Sequence, residues 1–155
     1  MSGKPDPETK ERPQGRCGSI LFVEDDIDDF IVACHELRKL KITNPVYRVA
    51  TTEAMTKYLT GESEYADREI FPLPAVIIID LHLPGSNGMH AQAYIRSKLK
   101  FRKIPIIAIS SIQQINALRS AVSLGADAFL VKPFERTEFA RVILEKKLPL
   151  QFIGQ

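Results

Sequence analysis

The chain has 155 residues, of which 45% are hydrophobic and 26% charged, with a formal net charge of +2. This length predicts one domain with a full-sized core, and the composition is that of an ordinary soluble globular protein. The near-neutral charge gives no argument for nucleic-acid binding, and no apolar run approaches the ~20 residues of a membrane span.

The first segment, Met1 to Gly18, is punctuated by Gly3, Pro5, Pro7, Pro13, Gly15 and Gly18 and has no apolar period. It reads as a disordered leader (1–18), polar and without the apolar region of a secretion signal, so a cytoplasmic location is expected. Cys17 falls in this leader and Cys34 on a helix, so a structural disulfide is not expected.

From Ser19 onward, strand and helix alternate five times. The predicted strands are Ser19–Val23, Pro45–Ala50, Ala75–Asp80, Ile106–Ser110 and Ala128–Val131. They are short, β-branched and apolar on both faces, as buried parallel strands are. The predicted helices are Ile27–Leu40, Thr52–Leu59, Gly88–Leu99, Gln113–Leu124 and Glu135–Lys147. Phe30, Ala33, Cys34, Leu37 and Leu40 form the core stripe of the first helix, with Ile27 and Ile31 on its flank. Gly125 suits a left-handed helix cap, and Pro84-Gly85-Ser86-Asn87-Gly88 is a dense turn signal. The connection Thr60–Pro74 exceeds the usual length for such units and reads as a tolerated insertion in preference to an extra surface loop with a specific use. The alternation predicts an α/β fold: a doubly wound, five-stranded parallel sheet with five helices. The domain is expected over 19–148, followed by an apolar tail over 149–155.

The chemistry gathers at strand ends. Glu24 and Asp25 follow ILFV, Asp80 follows AVIII, and Lys132 follows AFLV. In an open α/β sheet the carboxyl edge of the strands is the ligand edge. The first and third strands must be neighbours for their acids to meet, which requires the order 2-1-3-4-5. Three carboxylates at one edge repel one another unless a hard cation joins them, and Mg²⁺ is the usual candidate. Lys132 suits an anion such as phosphate. One aspartate carrying a phosphoryl group fits this pattern, with Asp80 as an exposed strand-end nucleophile. Asp26, Asp28 and Asp29 read as a solvated cap and first helical turn that favour the helix dipole. Ser110 ends the fourth strand, where its hydroxyl can donate to a phosphate oxygen; Ser111 is the lesser candidate. Lys132-Pro133 is a candidate cis peptide that would fix the lysine's direction.

Together, VEDD, IIIDLHLPGSNG, PIIAISS and LVKPF, in this order and at these elements, resemble the response-regulator receiver family of two-component signalling. The resemblance spans Ser19 to Lys147 and implies the flavodoxin-like fold. It implies that Asp80 accepts a phosphoryl group from a histidine kinase or phosphotransfer protein, with slow autodephosphorylation. Mg²⁺, or Mn²⁺ in its place, would lie on Glu24, Asp25, Asp80 and the backbone carbonyl of His82. Ser110 and Lys132 would bind phosphoryl oxygens, and Phe129 would be an aromatic switch that turns inward as Ser110 is drawn to the phosphate. Glu24 stands where many members have Asp, and Ser110 where Thr is frequent. His82 and Ile112 stand at positions that tune phosphoryl lifetime.

The long connection and apolar tail are similar to small regulators that serve phytochrome-type kinases, and the expected protein is a stand-alone receiver without a DNA-binding domain. Ile27 and Ile31 are candidates for contact with a kinase helical bundle, equally readable as peripheral core. The fourth helix carries a single charge, Arg119, and with the fifth strand and fifth helix it forms the family's usual dimer surface. Leu150, Phe152 and Ile153 would pack on the domain or on a second subunit. Two other functions compete. An aspartate-nucleophile phosphatase needs a second acid two residues after the nucleophile, where this chain has His82, and no nucleotide-binding GxxxxGK[ST] loop is present. The alternative is a degenerate, phosphorylation-independent interaction module, against which the intact set Glu24, Asp25, Asp80, Ser110 and Lys132 argues.

Overall fold

Strands with apolar side chains on both faces need cover on both faces. The computed structural model describes residues 18–83, 86–111, 115–123 and 125–153. Its elements are β1 (Ser19–Val23), α1 (Ile27–Lys39), β2 (Val46–Val49), α2 (Thr52–Thr60), β3 (Pro74–Asp80), β4 (His82–Leu83), β5 (Ser86–Asn87), α3 (Gly88–Ser97), β6 (Ile106–Ser110), α4 (Ile115–Ser123), β7 (Ala128–Val131) and α5 (Arg136–Lys146). The main sheet runs β2-β1-β3-β6-β7, all parallel, while β4 and β5 form a separate two-residue antiparallel pair. With that pair set aside, this is the expected 2-1-3-4-5 order.

The two-residue period of a strand sends alternate side chains to opposite layers. Leu21, Val23, Ile77, Ile79 and Ala108 pack with Met55, Tyr58, Leu59, Ala91, Ile95 and Ala121 of α2, α3 and α4. Ile20, Phe22, Val76, Ile78, Ile107 and Ile109 pack with Ala33 and Leu37 of α1 and Phe139, Val142 and Ile143 of α5. The three central strands are thus buried on both sides. The edge strands differ from expectation, because each has a neighbour on one side only. β2 is mostly half-buried, and Phe129 on β7 is 39% exposed.

Local signals fix most element ends. The Asp26 side chain accepts from the Asp28 and Asp29 N–H groups and caps α1, satisfying donors the helix leaves free. Gly61 closes α2 at φ 72°, and Gly125 has the expected left-handed φ of 113°. The expected α4 limits Gln113 and Leu124, like Cys17, Pro84, Gly85 and Ile112, lie outside the described residues.

The connection after α2 is built rather than merely tolerated. Tyr65 and Phe71 pack against Tyr47 and Tyr58 and each other in tilted and edge-on contacts, with ring centroids 5.0–6.1 Å apart. The Arg68 guanidinium donates to the carbonyls of Tyr58 (2.7 Å), Leu59 (2.7 Å) and Phe71 (3.2 Å), and the Tyr47 hydroxyl donates to the Ile70 carbonyl. The tail packs on its own domain. Leu148 and Leu150 are buried in the α1/α5 layer, Phe152 bridges Ile42, and the Ile153 N–H donates to the Lys41 carbonyl.

Candidate functional site

The ladder delivers the site residues to one edge. Val23 of β1 lies opposite Ile79 of β3, so Glu24 and Asp80 leave adjacent strands at the same level. The Leu81 N–H donates to the Ile109 carbonyl and the Lys132 N–H to the Ser110 carbonyl, which carries the register to the ends of β6 and β7. Glu24, Asp25, Asp26, Asp29, Asp80, His82, Ser110, Ser111 and Lys132 line one open pocket of about 240 Å³. The predicted cluster is therefore brought together, with Asp25 and His82 exposed at its mouth and Ser110 buried in its wall.

Lys132 is the hub. Its Nζ lies 2.7 Å from Asp29 Oδ2, 2.8 Å from Asp80 Oδ2 and 3.0 Å from Glu24 Oε2. The Lys132-Pro133 bond is cis. Burial works against the ammonium charge, but the hydrogen bonds to Asp29, Asp80 and Glu24 outweigh it and hold the lysine above its ordinary pKa. Asp80 Oδ1 accepts from the His82 N–H at 2.8 Å, which fixes the carboxylate plane. Glu24 Oε1 accepts from the Asp26 N–H at 3.1 Å, and the Arg48 guanidinium donates to the Glu24 carbonyl at 3.1 Å.

Glu24 is only 3% exposed and Asp80 4%. Burial, opposed in part by the Lys132 hydrogen bond and reinforced by the charge of Asp80, pushes the Glu24 carboxyl up from 4.5 to about 7. Two buried acids sharing one lysine leave an excess of negative charge. Glu24, Asp25 and Asp80 each offer an oxygen, all within 4.8 Å of one another. A Mg²⁺ ion with oxygen ligands at ~2.1 Å separates them by ~3 Å when adjacent and ~4 Å when opposite. The donor set, three carboxylate oxygens gathered at one open pocket, is the kind such an ion takes.

A family model described as "Response regulator receiver domain" matches residues 20–144. The chain belongs to the response-regulator receiver family. This receiver is 28% identical over 123 residues to "Two-component response regulator ORR6" of Oryza sativa subsp. japonica, covering 79% of this chain and 67% of the relative. Its fold matches "Bacteriophytochrome response regulator RtBRR" with a TM-score of 0.77 at 31% identity, covering 89% of this chain and 82% of that one. It matches the bacteriophytochrome response regulator AtBRR with a TM-score of 0.77 at 27% identity, covering 89% and 98%.

Asp29 corrects the sequence reading. It was expected only to favour the dipole of α1, yet it makes the shortest of the receiver's three contacts to Lys132. Its place one turn into α1 was legible, but the arrival of a lysine from 103 residues away was not. Ile27 and Ile31 are 48% and 57% exposed, so they are surface rather than peripheral core. Phe30, Cys34 and Leu40 are half-buried beside the buried Ala33 and Leu37. Phe129 points outward and Arg119 is exposed. Among the described residues no helix is long and apolar enough to cross a membrane.

Proposed function

We propose that this receiver accepts a phosphoryl group on Asp80 from the phosphohistidine of a sensor kinase or phosphotransfer protein. The observation that carries the reading is the meeting of the Asp80 carboxylate with Lys132 and two further carboxylates in one open pocket. A carboxylate oxygen of Asp80 attacks phosphorus as the P–N bond to the histidine breaks, giving an acyl phosphate. Transfer of this kind needs positioning and charge neutralisation more than covalent help. The His82 N–H and Lys132 orient the carboxylate. Glu24, Asp25, Asp80 and the His82 carbonyl are the groups that would hold Mg²⁺, or Mn²⁺ in its place. The ion supplies charge neutralisation at the transferring oxygens. Lys132 and Ser110 take up the phosphoryl oxygens.

The response is a repacking. Ser110 ends β6 beside Val131 of β7, two residues along from Phe129. A Ser110 hydroxyl drawn to a phosphoryl oxygen vacates space into which Phe129, outward in this structure, turns. This couples a new charge to the surface formed by α4, β7 and α5, the proposed dimer or output face that includes Arg119. Exposed Ile27 and Ile31 beside the pocket are proposed to dock the phosphodonor. The likeness to the two bacteriophytochrome regulators supports a phytochrome-type kinase as that donor.

Acetyl phosphate with Mg²⁺, followed by intact-mass measurement of wild type and Asp80→Asn, tests the reading. One added phosphoryl group, absent without Mg²⁺ and absent in the variant, is expected. No added mass together with no metal or beryllofluoride binding overturns it and leaves a phosphorylation-independent interaction module.

A further inference from the structure

We infer that Asp29 is a positioning residue that holds the Lys132 ammonium at the pocket mouth and competes with the phosphoryl group for it. The inference rests on Asp80 being the phosphoacceptor. An ammonium has three N–H donors. Here Asp29 Oδ2, Asp80 Oδ2 and Glu24 Oε2, at 2.7, 2.8 and 3.0 Å, take all three. In this metal-free arrangement a phosphoryl oxygen that gains a Lys132 N–H must therefore displace one of these carboxylates.

The three are not equivalent. The Glu24 and Asp80 side chains are 4% and 5% exposed and form the floor. The Asp29 side chain is 44% exposed and forms the rim. Losing a partner leaves a buried carboxylate uncompensated, whereas a rim carboxylate is re-solvated by water at little cost. Asp29 is the carboxylate that lets go. A helix-dipole acid would satisfy its position by sequence, as exposed Asp28 does, but that role does not require the 2.7 Å contact to Lys132. The backbone supports the contact: the Asp29 N–H donates to Asp26 Oδ1 at 3.2 Å, which fixes the first turn from which the carboxylate reaches the pocket.

Two consequences of opposite sign follow. When Glu24 and Asp80 turn to a divalent cation, Lys132 keeps a partner in Asp29 and vacates the floor. Without the Asp29 charge the ammonium has only the floor carboxylates, so it competes with the cation. When a phosphoryl group stands on Asp80, the Asp29 charge repels it and its contact with Lys132 draws the ammonium toward the rim, away from the phosphoryl oxygens. Without that charge the phosphoryl group binds Lys132 unopposed.

The test uses the full chain as wild type, Asp29→Asn and Asp28→Asn. Mg²⁺ affinity and, at saturating Mg²⁺, the affinity for beryllofluoride as the phosphoryl stand-in are followed by amide chemical shifts. Asp29→Asn is expected to weaken Mg²⁺ and to tighten beryllofluoride, each by ~3- to 10-fold, the scale of one partly exposed charge at contact distance. Asp28→Asn removes the same formal charge one residue away and is expected to change either affinity less than about twofold. Asp29→Asn indistinguishable from Asp28→Asn in both titrations overturns the inference. So does a fall in both affinities together, the mark of a merely damaged site. A wild type that binds neither ion overturns the phosphoacceptor reading itself and this inference with it, a result distinct from a responsive wild type with an inert Asp29→Asn.

Discussion

Glu24→Gln separates the cost of a buried carboxylate from its use. A carboxyl moved from 4.5 in the unfolded chain to about 7 in the fold disfavours the charged folded form by about 3 kcal/mol, at ~1.4 kcal/mol per pH unit. The sign follows from proton uptake. Between pH 4.5 and 7 the folded protein holds the Glu24 proton that the unfolded chain has lost. Stability therefore falls as pH rises through this window, and the full cost stands above it. Glutamine reproduces the shape of the neutral acid without a charge to bury. In urea unfolding with a chelator, Glu24→Gln is expected to exceed wild type by up to about 3 kcal/mol at pH 8, with the advantage vanishing below pH 4.5. Added Mg²⁺ reverses the order, because a ligand of the folded state stabilises by an amount that grows with the logarithm of its affinity, and the variant lacks one carboxylate. A variant less stable than wild type at pH 8 without metal would refute the reasoning. It would mean that the Lys132 ion pair outweighs the burial of Glu24.

Three further outcomes are expected. At Gly88 a Cβ would lie 2.7 Å from the Asp80 carbonyl oxygen and 2.8 Å from Leu81 Cα; Gly88→Ala should lower stability in urea by about 1–3 kcal/mol and broaden the Asp80 and Leu81 amide resonances. Arg68→Ala removes the donor to three carbonyls and should cost ~1.5–3 kcal/mol, with new proteolytic cleavage between Gly61 and Leu73; unchanged protease resistance would mean that the aromatic cluster holds the connection by itself. Ile31→Arg, at an exposed position, should leave stability within ~0.5 kcal/mol and the acetyl phosphate reaction unchanged. It should slow transfer from a phosphorylated kinase domain by at least about tenfold, the scale of one interface side chain.

Local rules determined much of this receiver. The short β-branched runs, apolar on both faces, dictated buried strands and a parallel sheet with helices on each side. The strand-end positions of Glu24, Asp80 and Lys132 dictated where an ionic site would form, because a chain leaving a buried strand emerges at the ligand edge. Asp26 and Gly125 announced their helix ends through side-chain and backbone chemistry confined to a few residues.

Partnership and exposure were decided by tertiary structure. Nothing within α1 distinguishes Asp29 from Asp28 until β7 brings Lys132 alongside. Ile27 and Ile31 sit beside the core stripe of α1, and their exposure follows from which surface α5 leaves uncovered. Phe129 reads as a buried strand residue, yet it is 39% exposed while Leu130 beside it packs in the α1/α5 layer. The connection after α2 looked like surplus length, and became structure once Arg68 met three carbonyls and Tyr47 came across from β2. In each case the deciding interaction joins segments far apart in sequence, and local periodicity carries no information about that distance.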